Sequence, residues 1–166
     1  GIRSEFIKGL RVTGKETIEV VKEELIEFNQ EIVKALKQQS CNSQTISSKE
    51  NNIILVVQEN TELGFVGTPI KIKKEVIDKI VDEKKVPVIA PLGLDKDSQT
   101  YNINADTAAG SIAKKIKARR LIIMSDVEGV LDNNKKLIPE INSKSIKDLI
   151  DNETVTGGMI PKINNC

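Results

Sequence analysis

The sequence contains no histidine. Zinc sites and every acid–base or nucleophile scheme that runs through an imidazole are therefore excluded within this chain. Aromatic residues make up only 2% of the chain, so its core must be built from Ile, Val and Leu. No apolar run approaches the roughly 18 residues that would span a bilayer. No charged start followed by an apolar stretch suggests a signal peptide. There are only two cysteines, Cys41 and Cys166, and they lie far apart. No disulfide framework is expected, and a reducing cytoplasm is the expected location. The formal net charge of +1 provides no general attraction to nucleic acid or acidic membranes, so neither is expected as a partner. Neither a Gly-x-x-x-x-Gly-Lys-Ser/Thr loop nor a Gly-x-Gly-x-x-Gly fingerprint occurs. Chemistry in this chain must use Asp, Glu, Lys, Arg, Asn, backbone groups or a cofactor metal, and no metal bound by the protein itself is expected.

With 166 residues, 39% of them hydrophobic, one domain with a sizeable core is expected. Thr13-Gly14-Lys15-Glu16 fits a capping box. It stands before Ile18, Val21, Leu25, Phe28, Ile32 and Leu36, one apolar face of a long helix. The stretch from Gln38 to Asn52 is polar and reads as a loop. Ile53 to Val57 reads as a strand, and Gly64 and Gly67 frame a turn with a second short strand around it. A helix is expected over 73–83 and a buried strand over 86–92. A loop over 95–100 and a helix from about Asp106 follow, with a third buried strand over 121–124. Asp132-Asn133-Asn134 signals a hairpin turn, and a short helix over 143–150 precedes the loop 154–158. Strands alternating with helices point to right-handed βαβ units. The fold class is α/β, a three-layer α/β/α sandwich on a mainly parallel sheet. The chain opens on Gly1 and stops at Cys166 inside an apparent helix, so it reads as an interior piece, incomplete at both ends.

The most informative segment is Asn102-Ile103-Asn104-Ala105-Asp106, three short polar side chains at the start of a small-residue helix. Open α/β sheets bind ligands beyond the carboxyl ends of their strands, at such strand–loop–helix junctions. If strands 86–92 and 121–124 are parallel, the loop Ser125 to Leu131 faces the same crevice. Gly129 there would admit a close ligand approach, and Asp126 could accept hydrogen bonds. On spacing alone a cap after a strand is the favoured reading of Asp126, and Asp106 reads as well as a carboxylate complementing a helix dipole. Arg11 could clamp a carboxylate or simply be solvated. The loop Thr156-Gly157-Gly158 before Pro161 and Lys162 could bring N–H groups and a lysine onto phosphates. Lys114, Lys115, Lys117, Arg119 and Arg120 read as cations at a helix end, without the interleaved aromatics of an RNA surface.

Five pieces in order resemble the N-acetylglutamate kinases of the amino acid kinase superfamily. They are Phe6 to Thr13, Leu63-Gly64-Phe65-Val66-Gly67, Asn102 to Asp106, Ser125 to Asp132, and Gly157-Gly158-Met159-Ile160-Pro161-Lys162. Two positions differ from the family pattern: Gly14 stands where Asp is usual, and Ser48-Lys49-Glu50 lacks a glycine. The resemblance implies transfer of the γ-phosphoryl of ATP, carried with Mg2+, to the side-chain carboxylate of N-acetyl-L-glutamate in arginine biosynthesis. Arg11 and Asn102 would bind the acylated amino acid, Asp106 would organise catalytic lysines, and Lys162 would stabilise the transferring phosphoryl. Asp126, Val127, Glu128, Gly129, Val130 and Leu131, with Thr154, Val155 and Thr156, would line the nucleotide pocket. Residues 1–100 would form the amino-acid half and 101–166 the start of the nucleotide half of one domain. A homo-oligomer is expected at full length. A different acceptor within the superfamily, or a non-catalytic paralogue, are the alternative readings.

Overall fold

A computed structural model describes residues 5–7, 10–132 and 134–164. Lys8 and Gly9, Asn133 and Cys166, invoked above, lie outside the described residues. Near the start of the described residues two short strands, β1 (Phe6–Ile7) and β2 (Leu10–Arg11), pair antiparallel with Phe6 opposite Arg11. The Arg11 guanidinium lies 5.2 Å from the centre of the Phe6 ring, within cation–π reach.

Helix α1 (Lys15–Gln38) follows. The expected capping box is not formed. Gly14 is the N-cap and, having no side chain, makes no side-chain cap, while the Thr13 hydroxyl donates to the Arg11 carbonyl at 3.1 Å. The buried stripe is also rotated from the one the apolar spacing suggests. Asn29 is buried and Phe28 is 59% exposed. The Asn29 amide supplies the reason, since its Nδ2 donates to the Val88 carbonyl at 2.9 Å and turns that edge of the helix inward.

Parallel pairs form the frame. Strand β3 (Ser43–Ile46) runs parallel to β6 (Val86–Ile89). Strand β4 (Ile54–Gln58) runs parallel to β7 (Leu92–Leu94), with Leu55 opposite Leu94. Antiparallel hairpins extend it: β5 (Gly67–Ile72) pairs with β4 and β8 (Thr100–Asn102) with β7, giving the order β5-β4-β7-β8. Helix α1 contacts β3, β6 and β8; α2 (Lys74–Asp82) packs on β6, and α3 (Ala105–Ile116) packs on β5 and α2. The result is a three-layer α/β/α arrangement with mixed sheets. Its core is almost wholly aliphatic, with Ile46, Ile53, Ile54, Val56, Ile72, Ile77, Ile80 and Ile103 joined by one aromatic, Tyr101. The short helices α4 (Ser145–Asp151) and α5 (Met159–Asn164) are the last described elements.

Three segments depart from the sequence reading. The polar stretch taken as a loop contains β3, whose Ser43 is buried because its hydroxyl donates to the Val33 carbonyl. The single strand expected over 86–92 is two strands, divided where Leu92 N–H turns back onto the Ala90 carbonyl at 2.8 Å. Pro91 at that corner has no N–H to continue the ladder. The third buried strand expected over 121–124 is absent, as is its parallel pairing with 86–92. Ile122 is 82% and Met124 89% exposed. Among the described residues no strand pairs with this run, and an unpaired β-branched segment has nothing to hold it extended.

Gly64 is the tightest backbone position. Its φ is +68°, and a Cβ there would lie 2.4 Å from the Thr13 carbonyl oxygen. Gly64→Ala should therefore lose at least about 2 kcal/mol of stability. A urea midpoint unchanged from wild type would contradict this.

Candidate functional site

Three distant segments meet at the amino end of α3. Thr13 N–H donates to the Leu63 carbonyl at 2.9 Å, and Phe65 N–H donates to the Thr13 carbonyl at 2.7 Å. The Phe65 carbonyl in turn accepts from Asn102 N–H at 2.9 Å. These bonds form parallel bridges, Thr13 to Gly64 and Val66 to Asn102. The Phe65 and Tyr101 rings pack beside them, 5.8 Å between centres. Asn102 therefore ends β8 in a fixed position, and its Nδ2 reaches the Thr13 hydroxyl at 3.5 Å. Thr13 itself is fully buried.

Two residues on, Asn104 caps α3. Its Oδ1 accepts from Thr107 N–H at 3.1 Å and from the Thr107 hydroxyl at 3.3 Å. Asp106 occupies the first turn, where the helix dipole favours a carboxylate. From α5, Lys162 reaches back 56 residues to both Asp106 oxygens, with Nζ at 3.1 and 3.3 Å. The pair is half-buried, with the carboxylate at 16% and the ammonium at 27% side-chain exposure. Arg11, Asn102, Asp106 and Lys162 thus lie along one connected path. It runs from the β1–β2 hairpin through Thr13 to Asn102, past the α3 cap, to the ion pair.

The remaining candidate residues stand in two loops. Asp126 is exposed and accepts from the Ser125 hydroxyl at 3.4 Å; Val127 and Glu128 are exposed as well. Gly129 has φ +145°, Val130 is half-buried, and Leu131 pairs with Leu137 across the expected hairpin. Asp132 Oδ1 closes that turn by accepting from Asn134 and Lys136 N–H. In the second loop Thr154 is half-buried and Thr156 exposed, while Val155 is 2% exposed and its N–H donates to the Leu149 carbonyl.

Two clefts border α3. One of about 630 Å³ at the carboxyl end of α3 is lined by Lys114, Lys117, Arg119 and Arg120. An apolar one of about 350 Å³ runs between β6 and α3, past Ile89, Ile112 and Leu121. Among the described residues no group of three His, Cys, Asp or Glu side chains is arranged to hold a metal ion. None of their helices is long and apolar enough to cross a membrane.

The model of the amino acid kinase family matches residues 1–166. The chain belongs to the amino acid kinase family. It is 67% identical to the acetylglutamate kinase of Pelagibacter ubique, over 99% of this chain and 57% of that protein. It is 41% identical to that of Rhodospirillum centenum, over 99% of this chain and 59% of the relative. The chain thus spans somewhat more than half the length of the curated relatives it matches. Among solved structures it superposes on the smu.665 protein of Streptococcus mutans with a TM-score of 0.92 and 32% identity, covering 67% of that chain. It also superposes on an N-acetylglutamate synthase of Neisseria gonorrhoeae with a TM-score of 0.83. At 18% identity and 38% coverage of that chain, this second likeness is one of fold alone.

Thr13 and the Gly64–Phe65 turn are what sequence reasoning missed as organisers of this site. The signal available was the motif Arg11-Val12-Thr13, in which Thr13 reads equally well as a helix cap.

Tyr101, next to Asn102, carries the one resolved pKa shift at the site. Burial raises it above the ordinary 10.0, and the nearby Asp95 carboxylate adds to the effect. A raised phenol pKa means the folded state holds its proton longer than the unfolded chain. The stability it contributes is complete below pH 10.0 and is lost as pH rises through the folded value. The phenolate absorbance of wild type minus Tyr101→Phe should therefore titrate with a midpoint above 10.0, and Asp95→Asn should lower that midpoint. A midpoint at or below 10.0 would show the phenol to be neither buried nor paired.

Proposed function

We propose that the protein carrying this chain transfers the γ-phosphoryl group of ATP to the side-chain carboxylate of N-acetyl-L-glutamate, an acetylglutamate kinase reaction of arginine biosynthesis. The observation that carries this reading is the connected path from Arg11 through Asn102 to the Asp106–Lys162 pair. It joins the Arg11 backbone and the Asn102 amide at one end to a held ammonium at the other; the Arg11 side chain and Asn102 would serve the acceptor, and the ammonium the phosphoryl group. The 67% identity to an acetylglutamate kinase supports the choice of acceptor.

The chemistry suits a chain without histidine. The attacking carboxylate is already ionised near neutral pH, so no general base is required. Phosphoryl transfer depends mainly on positioning and on neutralising charge spread over the equatorial oxygens. Arg11 would grip the acceptor's α-carboxylate in a fork of two hydrogen bonds. Asn102 would orient the acylated amino acid through its amide. Lys162 would sit against the transferring group, with Asp106 holding the ammonium in place before the substrates arrive. Asp126, Val127, Glu128, Gly129, Val130 and Leu131, with Thr154, Val155 and Thr156, would form the nucleotide side. Thr156 and Glu128 are exposed there, whereas Val155 acts through packing and its backbone. Magnesium would arrive with the nucleotide, whose phosphates supply much of its coordination and ask few ligands of the protein. When bound, that ion would neutralise phosphate charge.

The complete reading frame that contains this chain should form acyl phosphate, trapped as hydroxamate, from MgATP and N-acetylglutamate. No product above a no-enzyme control would overturn the reading. Product only with another amino acid, carbamate or a nucleoside monophosphate would reassign the acceptor.

Lys162→Met should lower kcat by about 10²–10³-fold, the usual loss when one charge-stabilising donor is removed. Its KM for the acceptor should stay within a few-fold of wild type. Arg11→Ala should do the opposite and raise the acceptor KM by about 10–100-fold, as expected for loss of a charged hydrogen bond. Steady-state kinetics on both variants measures this. A Lys162→Met enzyme with wild-type kcat would remove the lysine from the mechanism.

A further inference from the structure

We infer that Thr13 is a positioning residue for acceptor binding, its hydroxyl locking the Arg11 backbone and the Asn102 side chain into one rigid unit. The inference rests on the acceptor-binding roles proposed above for Arg11 and Asn102.

A threonine hydroxyl has one proton and two lone pairs. Here the proton is committed, since Oγ1 donates to the Arg11 carbonyl at 3.1 Å. A lone pair then faces Asn102, whose Nδ2 donates to the same oxygen at 3.5 Å, across 89 residues of sequence. The two bonds are compatible in a single hydroxyl orientation, so each favours the other. Together they fix which end of the Asn102 amide faces inward. Its nitrogen points toward Thr13, leaving the carbonyl oxygen and the second amide proton for a ligand.

The surroundings leave Thr13 little freedom. It is fully buried, and both its backbone groups are tied to the Leu63–Phe65 segment. Phe65 in turn holds the Asn102 backbone. The main chain therefore fixes where Asn102 begins, and the Thr13 hydroxyl fixes which way its side chain turns. A mere helix cap would direct its oxygen to the N–H groups of α1. No such cap is formed at the start of α1, and the Thr13 hydroxyl turns away from the helix.

Thr13→Val, which keeps the shape and removes the hydroxyl, tests this in the complete protein, with Thr13→Ser as the conservative control. The KM for the carboxylate acceptor should rise about tenfold in Thr13→Val, the scale of one hydrogen bond's contribution. The KM for ATP and kcat should remain within about twofold, and Thr13→Ser should restore the acceptor KM. A purely structural loss would instead lower the active fraction, and so kcat, without moving either KM. An unchanged acceptor KM, or an equal rise for ATP, would overturn the inference. The Asn102 side-chain amide signals, assigned in 15N-resolved NMR by their loss in Asn102→Asp, provide a readout independent of the acceptor. They should shift in Thr13→Val and return toward wild type in Thr13→Ser. An unchanged amide signal overturns the positioning role even if the proposed kinase reaction holds. A shifted signal in a protein that forms no acyl phosphate sinks the kinase reading alone.

Discussion

The hydrogen bonds that run from Thr13 through the Gly64–Phe65 turn to Asn102 hold this molecule's site together. They join the entrance of α1, the tip of the β4–β5 hairpin and the end of β8 without any side-chain ion pair. Backbone bonds suit the task because their geometry is set by the chain rather than by rotamers, so little side-chain entropy opposes them. The cost is steric. The bridge brings Gly64 so close to the Thr13 carbonyl that only a residue without a Cβ fits, and it does so with a positive φ that glycine alone adopts freely. The glycine is thus a consequence of the bridge, and the position of Asn102 is a consequence of the glycine.

An aromatic-poor core imposes a second constraint. Ile and Val dominate the packed cluster, and β-branched side chains are stiff, so the sheet and its helices interlock with little adjustable volume. Tyr101 is the exception. Its ring packs on Phe65 directly beside the bridge to Asn102, and burial raises its pKa above the ordinary range. The one bulky, polar-tipped core residue therefore sits where the backbone of the site needs a wide, rigid support.

Elements with strong local signatures were legible in the sequence. The long helix ending near Gln38, the helix over 74–82, the Asp132 turn and the polar start of α3 each rest on neighbouring residues, and each occurs. Strand partners were harder to read, because a strand is defined by a segment elsewhere in the chain. Ser43–Ile46 is too polar to look like a strand, and it becomes one because α1 satisfies Ser43 and Val86–Ile89 supplies a parallel partner. Leu121–Met124 has the composition of a buried strand and lies exposed, because no described strand pairs with it. At the site, the polar residues of Asn102–Asp106 were visible as a group. Local spacing alone did not divide their labour; only the resemblance assigned Asn102 to the acceptor and Asp106 to the lysines. Asn104 caps, Asp106 pairs with a lysine 56 residues away, and Asn102 leans on a threonine that looked like a cap itself.

The Asp106–Lys162 pair shows why that division matters. A half-buried ion pair contributes little net stability, because desolvating both charges offsets most of their attraction. Its value here is geometric. Asp106 is anchored in the first turn of α3, where the orphan N–H groups already favour negative charge, so the carboxylate keeps its position whichever way the lysine moves. Lys162, by contrast, rides on a six-residue helix after a Gly-Gly loop, a support too short to hold a long flexible side chain by itself. A fixed carboxylate facing a loosely mounted ammonium confines the lysine before any substrate binds. Under the proposed reaction, an arriving phosphoryl group then meets a charge already in place, and the reorganisation that would oppose transfer has been completed by folding.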